Sequence, residues 1–398
     1  MPYPDELPVP HHQQDDTFYC GPATAQMLLL HAGAGLIGQD DLEAEITPHN
    51  GEAKWASSPA GLLYGLNSHL PTSTASTLAL FQLDSVDSIS RKIVWTVKHS
   101  RVGAAVLVRG AAHWVVVSGY ETSAEPTGPG DTSYTINAFD VNNPSPALTD
   151  HPPPPHGPGD GCGGGGNTGM TIDHISYGEW SSSYMLPVPS PSLWQGKFIA
   201  IGDTDPPPTH YGTEPADPPI MSGDQFATAS QAKDLAVQGL TRFGLFGRPS
   251  WQRLLAKTSP GEPILVQRLD RRDSFYYIVP MVMSPAVIPV LVLIDARFGN
   301  YLQSARLGAP GNALRGFNFN PQIVVQRLVG ETLNLGRRGR LTIRNGAYSL
   351  YPTLVWRPCR ESLSPYVPFF MITVGNQRLF VRVDGQVFPG LHTQDRGI

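Results

Sequence analysis

Two stretches of this 398-residue chain are unable to join a packed core, and they constrain how everything else can fold. In the first, residues 150–169, His151-Pro152-Pro153-Pro154-Pro155-His156 precedes a glycine tract at 161–166. The second, residues 204–219, holds Pro206, Pro207, Pro208, Pro215, Pro218 and Pro219. Proline has no N–H for a helix or ladder, and polyglycine buries too little surface to offset its chain entropy. The second break therefore reads as a semi-extended linker and predicts two units, 1–203 and 220–398. The first reads as a long surface loop inside the first unit, because Tyr177, Trp180 and Tyr184 follow it and supply aromatics to pack back.

Glycine (41) and proline (39) make up about a fifth of the chain, yet 40% of it is hydrophobic, with 7 Trp, 14 Tyr and 15 Phe, enough for a sizeable core. A formal net charge of −5, with only 15% charged residues, lacks the basic surplus that phosphate backbones demand, so nucleic acid is not an expected partner. The longest apolar candidate for a membrane segment, 287–294, is interrupted by Pro289 and is strand-sized. Residues 1–10, with Asp5, Glu6 and four prolines, lack the pattern of a secretory leader. Cys20, Cys162 and Cys359 are too widely spaced for a disulfide framework, so thiols in a reducing cytoplasm are expected.

In the first unit, 21–32 is helix-compatible with Pro22 in its first turn, and further helix-like residues lie between 57 and 100. The runs 102–108, 114–120 and 134–141 read as neighbouring antiparallel strands. The second unit has helical patterns at 224–240 and 250–256, then strands at 264–269, 275–282, 290–295, 366–374 and 378–383. Helices first and sheet second predict an α+β class for both. A loose likeness between 292–299 and 381–388 hints at a repeated strand-turn unit.

The chemistry concentrates around Gln14-Asp15-Asp16-Thr17-Phe18-Tyr19-Cys20-Gly21-Pro22-Ala23. A cysteine at a helix N-terminus meets a partial positive charge that favours thiolate over thiol. Gly21 would leave the sulfur approachable, and Gln14 could bring its amide beside the Cys20 N–H to hold an oxyanion. A base is offered by His113, at the head of Trp114-Val115-Val116-Val117, with Trp114 placed to shield the ring from water. The strand ending Asp140-Val141-Asn142-Asn143-Pro144 offers Asn143 and Asp140 to orient the imidazole, and spacing alone does not choose between them.

Gln-x5-Cys-Gly-Pro-Ala, then His-Trp-Val-Val-Val-x-Gly-Tyr, then a strand closing on Val-Asn-Asn-Pro, resembles papain-like cysteine peptidases, especially the bacterial branch related to bacteriocin-processing peptidase domains. The likeness covers roughly residues 10 to 145. It implies a papain-like domain, N-terminal helices packed on an antiparallel sheet, followed by a strand-rich accessory domain. It further implies Cys20 as nucleophile, His113 as general base and acid, Gln14 at the oxyanion, and Asn143 where that branch usually has Asp. The expected activity is peptide hydrolysis through a thioester on a peptide or protein substrate. A catalytically idle peptide-binding module, and a side-chain amidase or acyltransferase, are the alternatives. No cofactor is implied, and the oligomeric state is open.

Elsewhere, Cys162 sits among glycines with no base beside it, and His11, His12, His151, His156 and His174 show no ligand spacing, so solvated loop histidines and no metal are expected. The glycine tract lacks a phosphate-loop ending and reads as a mobile flap bordering the cleft.

Overall fold

The computed structural model describes residues 3–392 except 17, 72–76, 146–169, 206–216, 285–286, 308–319, 331, 335–338, 345–351, 363 and 375–376. The expected loop with Cys162, His151, His156 and the glycine tract, and most of the expected linker, lie outside the described residues.

After strand β1 (Tyr3–Glu6), helix α1 (Cys20–His31) is buried at every position from Cys20 to Leu29. Its apolar and small side chains run all round, as a helix enclosed on every side requires. It ends in a Schellman arrangement: Gly33, at φ +87°, donates to the Leu30 carbonyl, and Ala34 reaches back to that of Leu29. Helices α2 (Gln39–Ile46) and α3 (Pro59–His69) pack on α1, and the Ser58 hydroxyl caps α3 by accepting from the Gly61 amide at 3.1 Å. Strand β2 (Ala79–Leu83) leads into α4 (Val86–Ser100), which stops at Arg101 in the left-handed region.

Strands β3 (Ala104–Val108), β4 (His113–Thr122) and β5 (Ile136–Asn142) are antiparallel neighbours, close to the strands expected from the sequence. β6 (Met170–Ser176) pairs with β5 and passes into α5 (Tyr177–Glu179) and a wider π-type turn, Trp180–Tyr184. β7 (Phe198–Gly202) inserts between β3 and β2.

Beyond the Pro-rich break, α6 (Ala229–Arg242) starts later than expected, because Thr228 and Gln231 form a capping box that fixes its first turn. α7 (Pro249–Leu255) follows, then β8 (Ser259–Pro260), β9 (Ile264–Arg268), β10 (Phe275–Val282), β11 (Val290–Asp295) and β12 (Tyr301–Leu307). α8 (Pro321–Leu328) precedes a small hairpin of β13 (Thr332–Asn334) and β14 (Arg340–Thr342). The chain closes with β15 (Thr353–Trp356), β16 (Phe369–Val374), β17 (Gln377–Arg382) and β18 (Val387–Phe388). The two look-alike segments both form hairpins, β11–β12 and β17–β18.

One sheet carries both halves. β12 pairs with β6, Gln303 opposite Ile175 and Ala305 opposite Asp173, giving the order β18-β17-β16-β15-β9-β10-β11-β12-β6-β5-β4-β3-β7-β2, with β1 added to β4 and β8 to β10. Among the described pairs only β15 and β9 run parallel. The chain is thus α+β with a large, mostly antiparallel sheet. Residues 204–219 fall between β7 and α6, and the strands on either side of that break are hydrogen-bonded through β6 and β12.

Charge crosses the same seam. Arg248, at the start of α7, donates to Asp140 at 2.9 Å and pairs with Glu121, while Asp140 also accepts from His174 Nδ1 at 2.8 Å. All four side chains are buried, which such groups tolerate only when paired. No helix among the described residues is long and apolar enough to cross a membrane.

Candidate active site

Cys20 opens α1, as the sequence leads one to expect, and its Sγ accepts the backbone N–H of Trp114 at 3.3 Å. That contact fastens the helix N-terminus to the head of β4, one residue from His113. The Trp114 indole N–H donates to the Ser57 carbonyl at 2.9 Å, so the segment before α3 closes the third side. Gly21 serves this packing rather than an open approach: a Cβ there would stand 2.2 Å from Ser57 Oγ. The amides of Trp114, Gly21 and Cys20 itself all favour the thiolate, as a helix N-terminus should, but burial outweighs them and pushes the Cys20 thiol up to about 12. The depressed thiol expected from the sequence is therefore not present in this closed state.

His113 is delivered by a strained turn. Arg109, Gly110 and Ala111 take φ of 58°, 66° and 71° in succession, a left-handed run that two of these residues adopt only at a steric cost. His113 Nε2 meets Asn143 Oδ1 at 2.8 Å, and Asn143 Oδ1 also accepts the Ser145 amide at 3.0 Å. Of the two candidates, Asn143 is the one whose side chain contacts the ring. Asp140 is turned to His174 and Arg248 across the seam, and Asn143 holds the imidazole.

Gln14 lies beside this group through the main chain: its N–H donates to the Pro144 carbonyl at 2.8 Å, and its side-chain Nε2 donates to the Asp16 carbonyl at 2.8 Å. Two residues that sequence reasoning missed hold this segment. Gln39, buried at the start of α2, accepts from the Asp15 amide and donates to the Gln13 carbonyl and to Gln26. His11, expected in a solvated loop, is buried and bonds the Asn143 carbonyl at 2.7 Å. His174, expected likewise in a loop, is a buried member of β6. Nothing in their local sequence distinguishes these residues; their partners lie up to 132 positions away.

Cys20 and His113 are 0% exposed, Asn143 2% and Gln14 4%, so this state is closed. Phe18 stands at the surface beside it, and the Arg360 guanidinium, from the Cys359–Ser362 bridge of the second half, lies 4.8 Å from its ring. On the far side of α4, His99, Asp203 and Asp205 offer three ligand atoms within 4.8 Å of one another. They are already engaged: His99 bonds Asp203, Trp95 bonds Asp205, and Lys92 bonds the Asp205 carbonyl and stands near both carboxylates.

Comparison of the chain with protein-family models, with curated proteins and with solved structures gives no match.

Proposed function

We propose that the chain is a papain-like cysteine peptidase that acts through Cys20, His113 and Asn143. The observation that carries this reading is the Nε2–Oδ1 bond between His113 and Asn143 on a strand whose next amide is bonded to Cys20 Sγ. The thiol is tied to the Trp114 amide, one residue from the imidazole, and the imidazole to the Asn143 oxygen, so three distant segments supply the groups that acyl transfer uses.

With Nε2 committed to Asn143, Nδ1 is the ring atom that exchanges the proton with sulfur. Cys20 passes its proton to His113 as Sγ attacks the substrate carbonyl carbon; a C–S bond forms and the carbonyl electron pair moves to oxygen. The Cys20 N–H, joined by the side-chain amide of Gln14, receives that oxyanion. Collapse breaks the C–N bond, and His113 returns the proton to the departing amine. Water, deprotonated by His113, then attacks the thioester, and the thiol regains its proton as the acid leaves.

Cys20 and His113 are enclosed, and burial keeps the thiol protonated in this state, so substrate reaches the sulfur only where the surface opens. The same closure favours, as the second reading, an idle module that binds partners without turnover. Incubation with protein mixtures followed by mass spectrometry of termini separates the two. New termini that vanish with Cys20→Ala, and fall by about two orders of magnitude with Asn143→Ala, support the peptidase. Equal products from wild type and Cys20→Ala refute it. A mass change without cleavage, lost with Cys20→Ala, assigns the same residues to a side-chain amidase or acyltransferase.

A further inference from the structure

Behind Asn143 lies a carboxylate that the mechanism above does not use. β5 and β6 pair with Val141 opposite Asp173, which sets Asp173 beside the strand end that carries Asn143. Asp173 is 1% exposed, and neither of its oxygens forms a well-aligned hydrogen bond among the described residues. Asn143 Nδ2 is in the same condition. The groups that nevertheless stabilise the Asp173 charge are the Asn143 amide and the Arg109 guanidinium, from the strained turn ahead of His113. Among the described residues, Tyr184 of the π-type turn and Tyr366 of the second half also feel its charge.

We propose that Asp173 is a positioning residue that acts through Asn143, fixing which end of its amide faces His113; the inference rests on the peptidase reading. An amide can be turned end for end with little change in shape, and a turned Asn143 would present N–H to the ring nitrogen it must accept from. Because Oδ1 is committed to His113 and Ser145, Nδ2 points the other way, and an anion on that side holds it there. The same anion, relayed through the amide dipole, favours the imidazolium that forms when Cys20 gives up its proton. Burial lifts Asp173 to about 7, so the hold is engaged above neutrality and released below it.

The test is the rate at which iodoacetamide alkylates Cys20 in the full chain, followed by peptide mapping from pH 5 to 9. Wild type is expected to react faster than His113→Ala and to show an inflection near pH 7. Asp173→Asn, which keeps the shape, is expected to move that inflection and slow the reaction roughly ten-fold at pH 7.5, and to add nothing in an Asn143→Ala background. An unchanged profile in Asp173→Asn, or an equal loss in the Asn143→Ala background, overturns the inference while leaving the peptidase reading standing. Wild type reacting no faster than His113→Ala overturns both. A measurement that leaves position 173 intact is the side-chain NH2 resonance of Asn143 in the Cys20→Ala protein. It should shift with a midpoint near pH 7, and a flat response overturns the inference.

Discussion

Gly21 illustrates how narrowly one residue is bounded. The space its missing Cβ leaves is filled by Ser57, whose carbonyl in turn holds the Trp114 indole. Gly21→Ala is expected to lower stability by about 1–3 kcal/mol in urea unfolding, since the clash is with a packed segment rather than a flexible tip. Asp173 and Glu121 have a different consequence, because burial raises both to about 7. Between roughly pH 4 and 7 the folded chain then holds more protons than the unfolded one, so stability falls as pH rises through that window. For Asp173 alone the span corresponds to at most about 4 kcal/mol. Asp173→Asn is expected to flatten the slope of stability against pH and to raise stability at pH 8; an unaltered slope in denaturation at several pH values would show that the carboxylate ionises freely.

Among the elements, the turn Arg109–Ala112 and the Cys359–Ser362 bridge bear most directly on the site. The turn gives His113 its position through three left-handed residues, a conformation no strand propensity encodes. The bridge carries Arg360 onto the ring of Phe18, two residues from Cys20. Arg360→Ala removes this cation–π contact, worth about 1 kcal/mol at an exposed ring, and is expected to speed alkylation of Cys20 several-fold without moving the unfolding midpoint by more than a degree or two. An unchanged rate would place the barrier to entry elsewhere. Strand β4 was legible as a strand from its run of valines, and α1 from Pro22 and the residues after it. The edge strand β2 and its neighbour β7 were not, because short segments that pair only with distant partners carry little local pattern.

For the molecule as a whole, the pairing of β6 with β12 and the buried group of Asp140, His174, Glu121 and Arg248 tie the halves together. A single cooperative calorimetric transition is expected, rather than one for each half. Arg248→Met should lower it sharply, by about 3–5 kcal/mol, since Asp140 and Glu121 would stay buried without their cation. Two resolved transitions would show instead that the seam opens before either half does.

The division between chain and fold is now plain. Local sequence alone determined the helix that begins at Cys20, the strand that begins at His113, the α+β character and the positions of the two Pro/Gly breaks, because helix starts, β-branched runs and breakers act over a few residues. Only the tertiary structure decided that Asn143 rather than Asp140 meets the imidazole, that Gln39 and His11 brace the segment carrying Gln14, and that the thiol is raised rather than lowered. Each of these depends on strand register or on burial, quantities set by partners far away in the chain and invisible to any window along it.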